Sequence, residues 1–269
     1  MPPAPLPYPG ATRPPPALVH LAPGWTATLA YQLVPGVTTW RLTHPDGSVR
    51  FAKVDGAERY PSLRAEAERM VWAAAYLPVP TVVALEAVGE STVLVTQGLP
   101  GRDATDPVWR REVPRLVEAL GRGLAAIHGA VGEEWCPFRF DIERALEHVR
   151  IRVETGDINV EGLHSEHAGL TPASALDRLR AEAPGSEDLV VCHGDYCPPN
   201  VLLTDGAVTG YVDLGELGVA DRWWDISIGG WSVGWNFGEE FEQLFYQSYG
   251  IAADADRIRF YRLLYDLVS

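Results

Sequence analysis

Three polar residues near the C-terminal third of the chain, Asp195, Asn200 and Asp213, lie among short apolar segments that are typical of buried strands. Asp205-Gly206 separates the two segments between Asn200 and Asp213. An Asp-Gly pair between β-prone runs predicts a hairpin. Because the ends of a hairpin meet, we expect Asn200 and Asp213 to lie side by side, with Asp195 just upstream.

These three residue types suit the transfer of a phosphoryl group. A carboxylate and an amide oxygen are ligands for a hard cation such as Mg²⁺, so Asn200 and Asp213 are predicted to hold the metal. Kinases use one further loop aspartate, which accepts the proton of the alcohol that is phosphorylated. The spacing therefore predicts a kinase with Asp195 as its catalytic residue.

The chain resembles the aminoglycoside 3'-phosphotransferases, a family of antibiotic kinases with a protein-kinase-like fold. The resemblance runs from about Trp25 to the end of the chain. The His-Gly-Asp-x4-Asn motif alone would indicate only the wider phosphotransferase superfamily, but matches in several other stretches favour the narrower family. These stretches are Trp135–Phe138, Glu166–Pro172, Glu187–Asn200, Asp213–Gly215, Gly218–Arg222, Tyr249–Ala252 and Phe260–Leu264. The resemblance implies ATP (or GTP) and Mg²⁺ as cofactors.

Composition excludes several other classes of function. The chain has 269 residues and a formal net charge of −14, which argues against binding nucleic acid through a basic surface. This charge would attract a polycationic ligand, although many soluble proteins are acidic for solubility alone. No apolar run approaches the roughly 20 residues that span a bilayer, and we expect no signal peptide in the N-terminal residues. We expect a cytoplasmic monomer or weak dimer that binds a cationic small molecule, and neither nucleic acid nor a membrane.

The three cysteines do not form a disulfide framework. Cys136, Cys192 and Cys197 are odd in number, as in a reduced cytosolic protein. His193 lies between two of them, but a structural zinc site needs four ligands with paired spacing. We therefore expect Cys192 to fill the core beside the loop.

The hydrophobic pattern divides the chain into three parts. Residues 1–23 are rich in proline and predict an arm or an irregular wrap. Residues 24–97 are β-prone and predict an antiparallel sheet in a nucleotide-binding lobe. Residues 98–269 predict a larger, mainly helical lobe that contains the catalytic loop, the hairpin and the substrate site. The predicted fold is α+β, with two lobes as in protein kinases.

Lys53 is the candidate phosphate-binding lysine of the first lobe. It lies near the end of a predicted strand, where a lysine is usually just exposed, whereas in a kinase it would be held by a helix glutamate. Residues 62–75 predict that helix, with Ser62 as its cap. Glu66 lies beside the apolar stripe and can face the sheet, whereas Glu68 would be solvated. Glu66 is therefore the predicted partner of Lys53.

By resemblance, the join between the lobes contacts the adenine ring. Thr96, Gln97 and Gly98 occupy this join, and they would bind nucleotide mainly through main-chain groups.

The resemblance also implies carboxylates that bind the ammonium groups of an aminoglycoside, although each could instead be a solvated loop residue. The candidates are Asp157, Glu161, Glu166 and Asp266. The chain departs from the family at Glu216, at Trp235-Asn236 and at Tyr265, where basic or acidic residues are usual. Trp235 could stack on a sugar or another flat ring, or could be part of the core.

The predicted function is ATP-dependent O-phosphorylation of an aminoglycoside hydroxyl, of the kanamycin or neomycin 3' type, which would confer resistance. The alternative is a kinase of another small hydroxylated molecule, such as a streptomycin-like antibiotic, a sugar or an amino alcohol. An inactive kinase-like module would normally lack one of the catalytic residues, and all are present. A protein kinase is disfavoured because no Ala-Pro-Glu segment follows Asp213-Leu214-Gly215.

Overall fold

The structure is a computed structural model that describes residues 13–34, 37–56 and 61–268, without the side chains of residues 33, 34 and 161. The helices are α1 (Pro16–Leu21), α2 (Leu63–Ala73), α3 (Val113–His128), α4 (Ile142–Thr155), α5 (Pro172–Glu182), α6 (Trp223–Phe237), α7 (Glu242–Tyr249) and α8 (Ala255–Val268). The strands are β1 (Thr26–Val34), β2 (Val37–Thr43), β3 (Val49–Asp55), β4 (Val82–Val88), β5 (Ser91–Gln97), β6 (Arg102–Asp103), β7 (Leu189–Cys192), β8 (Val201–Thr204), β9 (Ala207–Tyr211) and β10 (Gly218–Asp221). The predicted α+β fold is confirmed.

Residue contacts divide the chain into two compact units. The first unit extends to Pro100 and includes Thr209–Glu216, and the second comprises residues 101–208 and 217–269. The segment 209–216 lies within the range 98–269 that the sequence predicted as one lobe, but the structure assigns it to the first unit. The reason is its hydrogen bonding: the Tyr211 N–H donates to the Pro78 carbonyl at 3.0 Å, and the Thr209 hydroxyl donates to the Pro100 carbonyl at 3.2 Å.

The first unit is built on a five-stranded antiparallel sheet of order β1-β2-β3-β5-β4. Alternate residues of β2 are buried, as are Ala52 and Val54 of β3, as expected for a sheet with one covered face. The buried residues of this core are Ala17, Leu18, Trp40, Leu42, Ala52, Val54, Val93 and Val95. Two of these residues come from α1, so part of the segment predicted as a proline-rich arm is a helix packed on the sheet. Pro16 is compatible with it because proline fits the first turn of a helix.

The helices of the second unit pack closely through glycines. A Cβ at Gly121 in α3 would lie 2.7 Å from the main-chain carbonyl oxygen of Phe245 in α7. A Cβ at Gly229 in α6 would lie 2.7 Å from the ring of Phe245. Both distances are too short for a side chain, so glycine at these two positions lets the Phe245 segment approach α3 and α6. Helix α6 is buried from Trp223 to Gly234 and forms the centre of this unit.

The predicted hairpin is confirmed. Strands β8 and β9 are neighbours in a three-stranded sheet of order β6-β8-β9, and only Asp205 and Gly206 separate them. Both residues have positive φ angles, 52° and 79°, as a two-residue type I′ turn requires. Strand β7, which leads into the catalytic loop, pairs antiparallel with β10.

Within residues 13–34, 37–56 and 61–268, the helices are all too short or too polar to cross a bilayer.

Replacing Leu18 by alanine should destabilise the protein, because the side chain is 1% exposed in the core of the sheet. We expect the free energy of unfolding to fall by about 3 kcal/mol, measured by urea denaturation. Val19→Ala is the matched control, since the adjacent side chain is 58% exposed; its effect should stay within about 0.5 kcal/mol. Equal effects of the two substitutions would show that α1 does not contribute to this core.

Candidate active site

The loop that carries Asp195 is held by a buried carboxylate from α6. Asp225 is fully buried and accepts the N–H of His193 at 2.6 Å and the N–H of Gly194 at 2.9 Å. The indole N–H of Trp224 donates to the Gly194 carbonyl at 2.6 Å. Gly194 has a φ of 94°, a conformation that glycine adopts without strain. Hydrogen bonds therefore hold both the N–H and the carbonyl of Gly194, the residue before Asp195.

His128 completes the shell around Asp225. Its Nε2 lies 3.1 Å from a carboxylate oxygen of Asp225, and its Nδ1 lies 2.8 Å from the hydroxyl of Tyr249. The structure thus places His128 at the end of α3 as a support of the loop. Asp225 thus links α3 and the main chain of His193-Gly194 in one hydrogen-bond network.

The side chain of Asp195 is itself held at both carboxylate oxygens. The Asn200 amide donates to Oδ2 at 2.9 Å and to the Asp195 main-chain carbonyl at 3.0 Å. The Tyr265 hydroxyl donates to Oδ1 at 3.1 Å. Sequence reasoning missed this role of Tyr265, which it identified only as a departure from the family pattern.

In the first unit, Lys53 in β3 binds two carboxylates. Its Nζ lies 2.6 Å from Glu66 Oε1 and 2.7 Å from Asp213 Oδ1. Burial lowers the pKa of Lys53, but the charges of Asp213 and Glu66 raise it by more, so this pKa lies above its ordinary value and the ammonium stays charged. The helical stripe therefore identified the correct glutamate: Glu66 is buried, whereas Glu68 is exposed.

The groups proposed to hold Mg²⁺ offer oxygen atoms. Asn200 uses its amide nitrogen to bind Asp195, so its carbonyl oxygen remains suited to a cation. Asp213 is a non-glycine residue with a φ of 62°, and such strained positions occur often at functional sites. Oxygen donors of this kind fit Mg²⁺. The joint site stays a prediction, because the two residues belong to different units.

At the join after β5, two main-chain N–H groups already donate to carbonyl groups of the protein. The N–H of Gln97 donates to the Thr81 carbonyl and the N–H of Gly98 to the Val49 carbonyl, each at 2.9 Å. Thr96 is buried within β5. Among the described residues, the N–H of Leu99 makes no hydrogen bond. Leu99 is thus a candidate that sequence reasoning missed, since only the register of the join reveals it.

The predicted substrate carboxylates differ in their surroundings. Asp157 is exposed and accepts the Thr155 hydroxyl, and Glu166 lies 3.6 Å from the Arg262 guanidinium. Asp266 accepts the N–H of His164 at 2.9 Å and lies 2.5 Å from His167 Nδ1. The side chain of Glu161 lies outside the described part of the chain. Asp266 is thus already engaged in tying a loop to α8.

An aromatic cluster lies beside this loop. His164 stacks on Trp235, with ring centroids 4.8 Å apart and planes at 26°, and Trp231 lies 4.4 Å from Trp235. Burial lowers the pKa of His164, so its imidazole is neutral at pH 7. Trp231 is a core residue, whereas Trp235 is only half-buried.

A model of the phosphotransferase enzyme family matches residues 36–261. The chain belongs to this family. An aminoglycoside 3'-phosphotransferase from Streptomyces fradiae is 36% identical over 75% of this chain and 78% of its own length. A solved aminoglycoside-3'-phosphotransferase of type VIII is 32% identical, with a TM-score of 0.85 over 93% of this chain and 96% of that chain.

A third relative was solved with ligands. Aminoglycoside phosphotransferase APH(3'')-Id from Streptomyces rimosus, in complex with ADP and streptomycin, is 29% identical, with a TM-score of 0.72 over 91% of this chain and 93% of that chain. The resemblance to the aminoglycoside 3'-phosphotransferases is confirmed, and the protein is a small-molecule kinase.

Asp225→Asn should loosen the catalytic loop. Two N–H groups and a histidine now share the two carboxylate oxygens of Asp225, whereas an asparagine side chain offers only one acceptor oxygen. We expect a loss of about 3 kcal/mol in the free energy of unfolding together with a lower kcat for ADP release. Asp177→Asn, at an exposed position of α5, is the control and should change neither. Full stability and turnover in the Asp225 variant would contradict this anchoring role.

Proposed function

We propose that this kinase transfers the γ-phosphoryl group of ATP to a hydroxyl of an aminoglycoside of the kanamycin or neomycin type, and that it thereby confers resistance. The proposal is carried by the Asp195 carboxylate, which is oriented at both oxygens and lies on a loop anchored to α6. The names of the relatives support an aminoglycoside as the acceptor. Phosphorylation would add negative charge to a cationic ligand that binds RNA.

In this mechanism Asp195 orients the acceptor hydroxyl and takes its proton. The acceptor oxygen bonds to the γ-phosphorus as the bond between that phosphorus and the β–γ bridging oxygen breaks, so ADP leaves. The transition state is loose, and the protein contributes positioning and charge stabilisation more than covalent chemistry. An aspartate held in one orientation is the group that this positioning requires.

The first unit would bind the phosphates and the base. Lys53, kept charged and oriented by Glu66, would neutralise phosphate charge. Asn200 and Asp213 would supply oxygen ligands to Mg²⁺, which neutralises the β- and γ-phosphates when bound. The N–H of Leu99 would donate to the base, together with carbonyl groups of the join at Thr96, Gln97 and Gly98. A nucleotide is supported by the ADP in the Streptomyces rimosus relative.

The acceptor would be cationic, in keeping with the formal net charge of −14. Asp157 and Glu166 are the exposed acids suited to its ammonium groups, and Glu161 and Asp266 were predicted with them. We propose a cytoplasmic enzyme, since ATP is available there.

The alternative acceptor is another small hydroxylated molecule, such as streptomycin, a sugar or an amino alcohol. One observation favours it: Asp266 is engaged by His167 and His164, while the half-buried Trp235 offers an aromatic surface. Aromatic faces bind apolar faces of sugars, or guanidinium groups. The streptomycin complex of a relative points in the same direction.

A panel of acceptors tests the proposal. ADP release by purified protein with Mg²⁺-ATP should be stimulated by kanamycin and neomycin, and stimulation should be lost with an analogue that lacks the 3'-hydroxyl. Asp195→Asn should lower the stimulated kcat by at least about a hundredfold while ATP still binds. Stimulation only by streptomycin or a non-antibiotic would favour the alternative, and near-normal kcat in the Asp195 variant would contradict the mechanism.

Glu66→Gln should lower kcat/KM for ATP, because a neutral amide no longer holds the Lys53 ammonium in place. We expect a decrease of about tenfold, measured by ADP release at varied ATP concentration. Glu68→Gln, two residues away on the same helix and exposed, should behave as wild type. Equal kinetics for the two variants would rule out the role assigned to Glu66.

A further inference from the structure

Tyr265 contacts the catalytic aspartate but has no role in the proposed mechanism. It lies in the last turns of α8, and its hydroxyl donates to Asp195 Oδ1 at 3.1 Å. We propose that Tyr265 is a positioning residue, which orients the Asp195 carboxylate toward the acceptor and keeps water from that oxygen. This inference rests on the proposed role of Asp195 as the proton acceptor.

The ring of Tyr265 is held by the same residue that holds the loop. It lies edge-on to Trp224, with centroids 6.3 Å apart and planes at 63°, and Trp224 donates its indole N–H to the Gly194 carbonyl. The ring and the loop thus share one rigid neighbour that is buried in α6. The distance between the Tyr265 hydroxyl and Asp195 is therefore set by packing rather than by a mobile side chain.

Hydrogen bonds at both oxygens fix the torsion of the Asp195 side chain. Asn200 binds Oδ2 and Tyr265 binds Oδ1, so rotation of the carboxylate would break both bonds. Each ionised carboxylate oxygen can accept two hydrogen bonds, so a bond from Tyr265 to Oδ1 is compatible with a second one from the hydroxyl of an acceptor.

The phenol also occupies a place that water would otherwise take. A water molecule on Oδ1 is an alternative acceptor, and its use would hydrolyse ATP: a water proton passes to Asp195, the water oxygen bonds to the γ-phosphorus, and ADP leaves. Because the phenol takes one of the two acceptor positions of Oδ1, fewer water molecules can bind this oxygen in an orientation that allows hydrolysis. The same contact therefore favours transfer to an alcohol and suppresses hydrolysis.

Tyr265→Phe tests the inference because it removes the hydroxyl and keeps the ring against Trp224. ADP release with Mg²⁺-ATP is measured without an acceptor and with the acceptor that stimulates the wild-type protein. We expect the acceptor-dependent kcat to fall about tenfold, with the KM for acceptor changed less than about twofold. The acceptor-independent rate should rise above that of the wild type.

Tyr261→Phe is the matched control. Tyr261 lies one turn earlier in α8 and also packs edge-on against Trp224. The Tyr261→Phe substitution removes one hydroxyl, as Tyr265→Phe does, but its acceptor-dependent and acceptor-independent rates should stay at the wild-type level. Thermal unfolding of both variants checks that they are folded. The inference is overturned if Tyr265→Phe matches Tyr261→Phe, or if both rates of Tyr265→Phe fall by one factor, as general damage would cause.

This experiment also separates the inference from the proposed function. If no compound of the acceptor panel stimulates the wild-type protein, the aminoglycoside proposal fails, yet the acceptor-independent rates still test Tyr265. In that case a Tyr265→Phe rate at or below the wild-type value overturns the inference.

Discussion

The geometry of the second unit depends on one carboxylate that receives two successive main-chain N–H groups. Asp225 is buried and would be costly as an isolated charge, but the N–H groups of His193 and Gly194 and the ring of His128 solvate it. These partners come from two elements, since His128 ends α3 and the loop follows β7, while Asp225 itself lies in α6. The hydrogen bonds that make this charge tolerable are thus the same ones that join three elements around the catalytic loop.

The parts that sequence could predict depend on short chain separations. The hairpin between Asn200 and Asp213 is one example, because the Asp205-Gly206 turn imposes it by its own backbone preference. Glu66 followed from helical periodicity, which fixes the face on which a residue lies. In each case a local rule is enough, so no knowledge of tertiary packing was needed.

The parts that sequence could not predict are contacts between distant residues. Tyr265 and Asp195 are separated by 70 positions, and His167 and Asp266 by 99. No local pattern states which helix face meets which loop, because this depends on how the core packs. The same reason applies to α1, whose six residues look like part of a proline-rich segment until Leu18 is seen against the sheet. The N–H of Leu99 could not be predicted for a different reason. Every residue except proline has a main-chain N–H, so residue type does not show which of them lacks a partner in the fold.

Two adjacent residues in the last turns of α8 bind different parts of the protein. Tyr265 binds the catalytic aspartate, and Asp266 binds the His164–His167 segment beside Trp235. Successive residues of an α-helix are about 100° apart around its axis. The two side chains therefore point in different directions from the same turn of the helix. A rotation of this helix would displace the backbone of Tyr265 and that of Asp266 together. One turn of α8 therefore supports both the catalytic aspartate and the segment that contains His164 and His167.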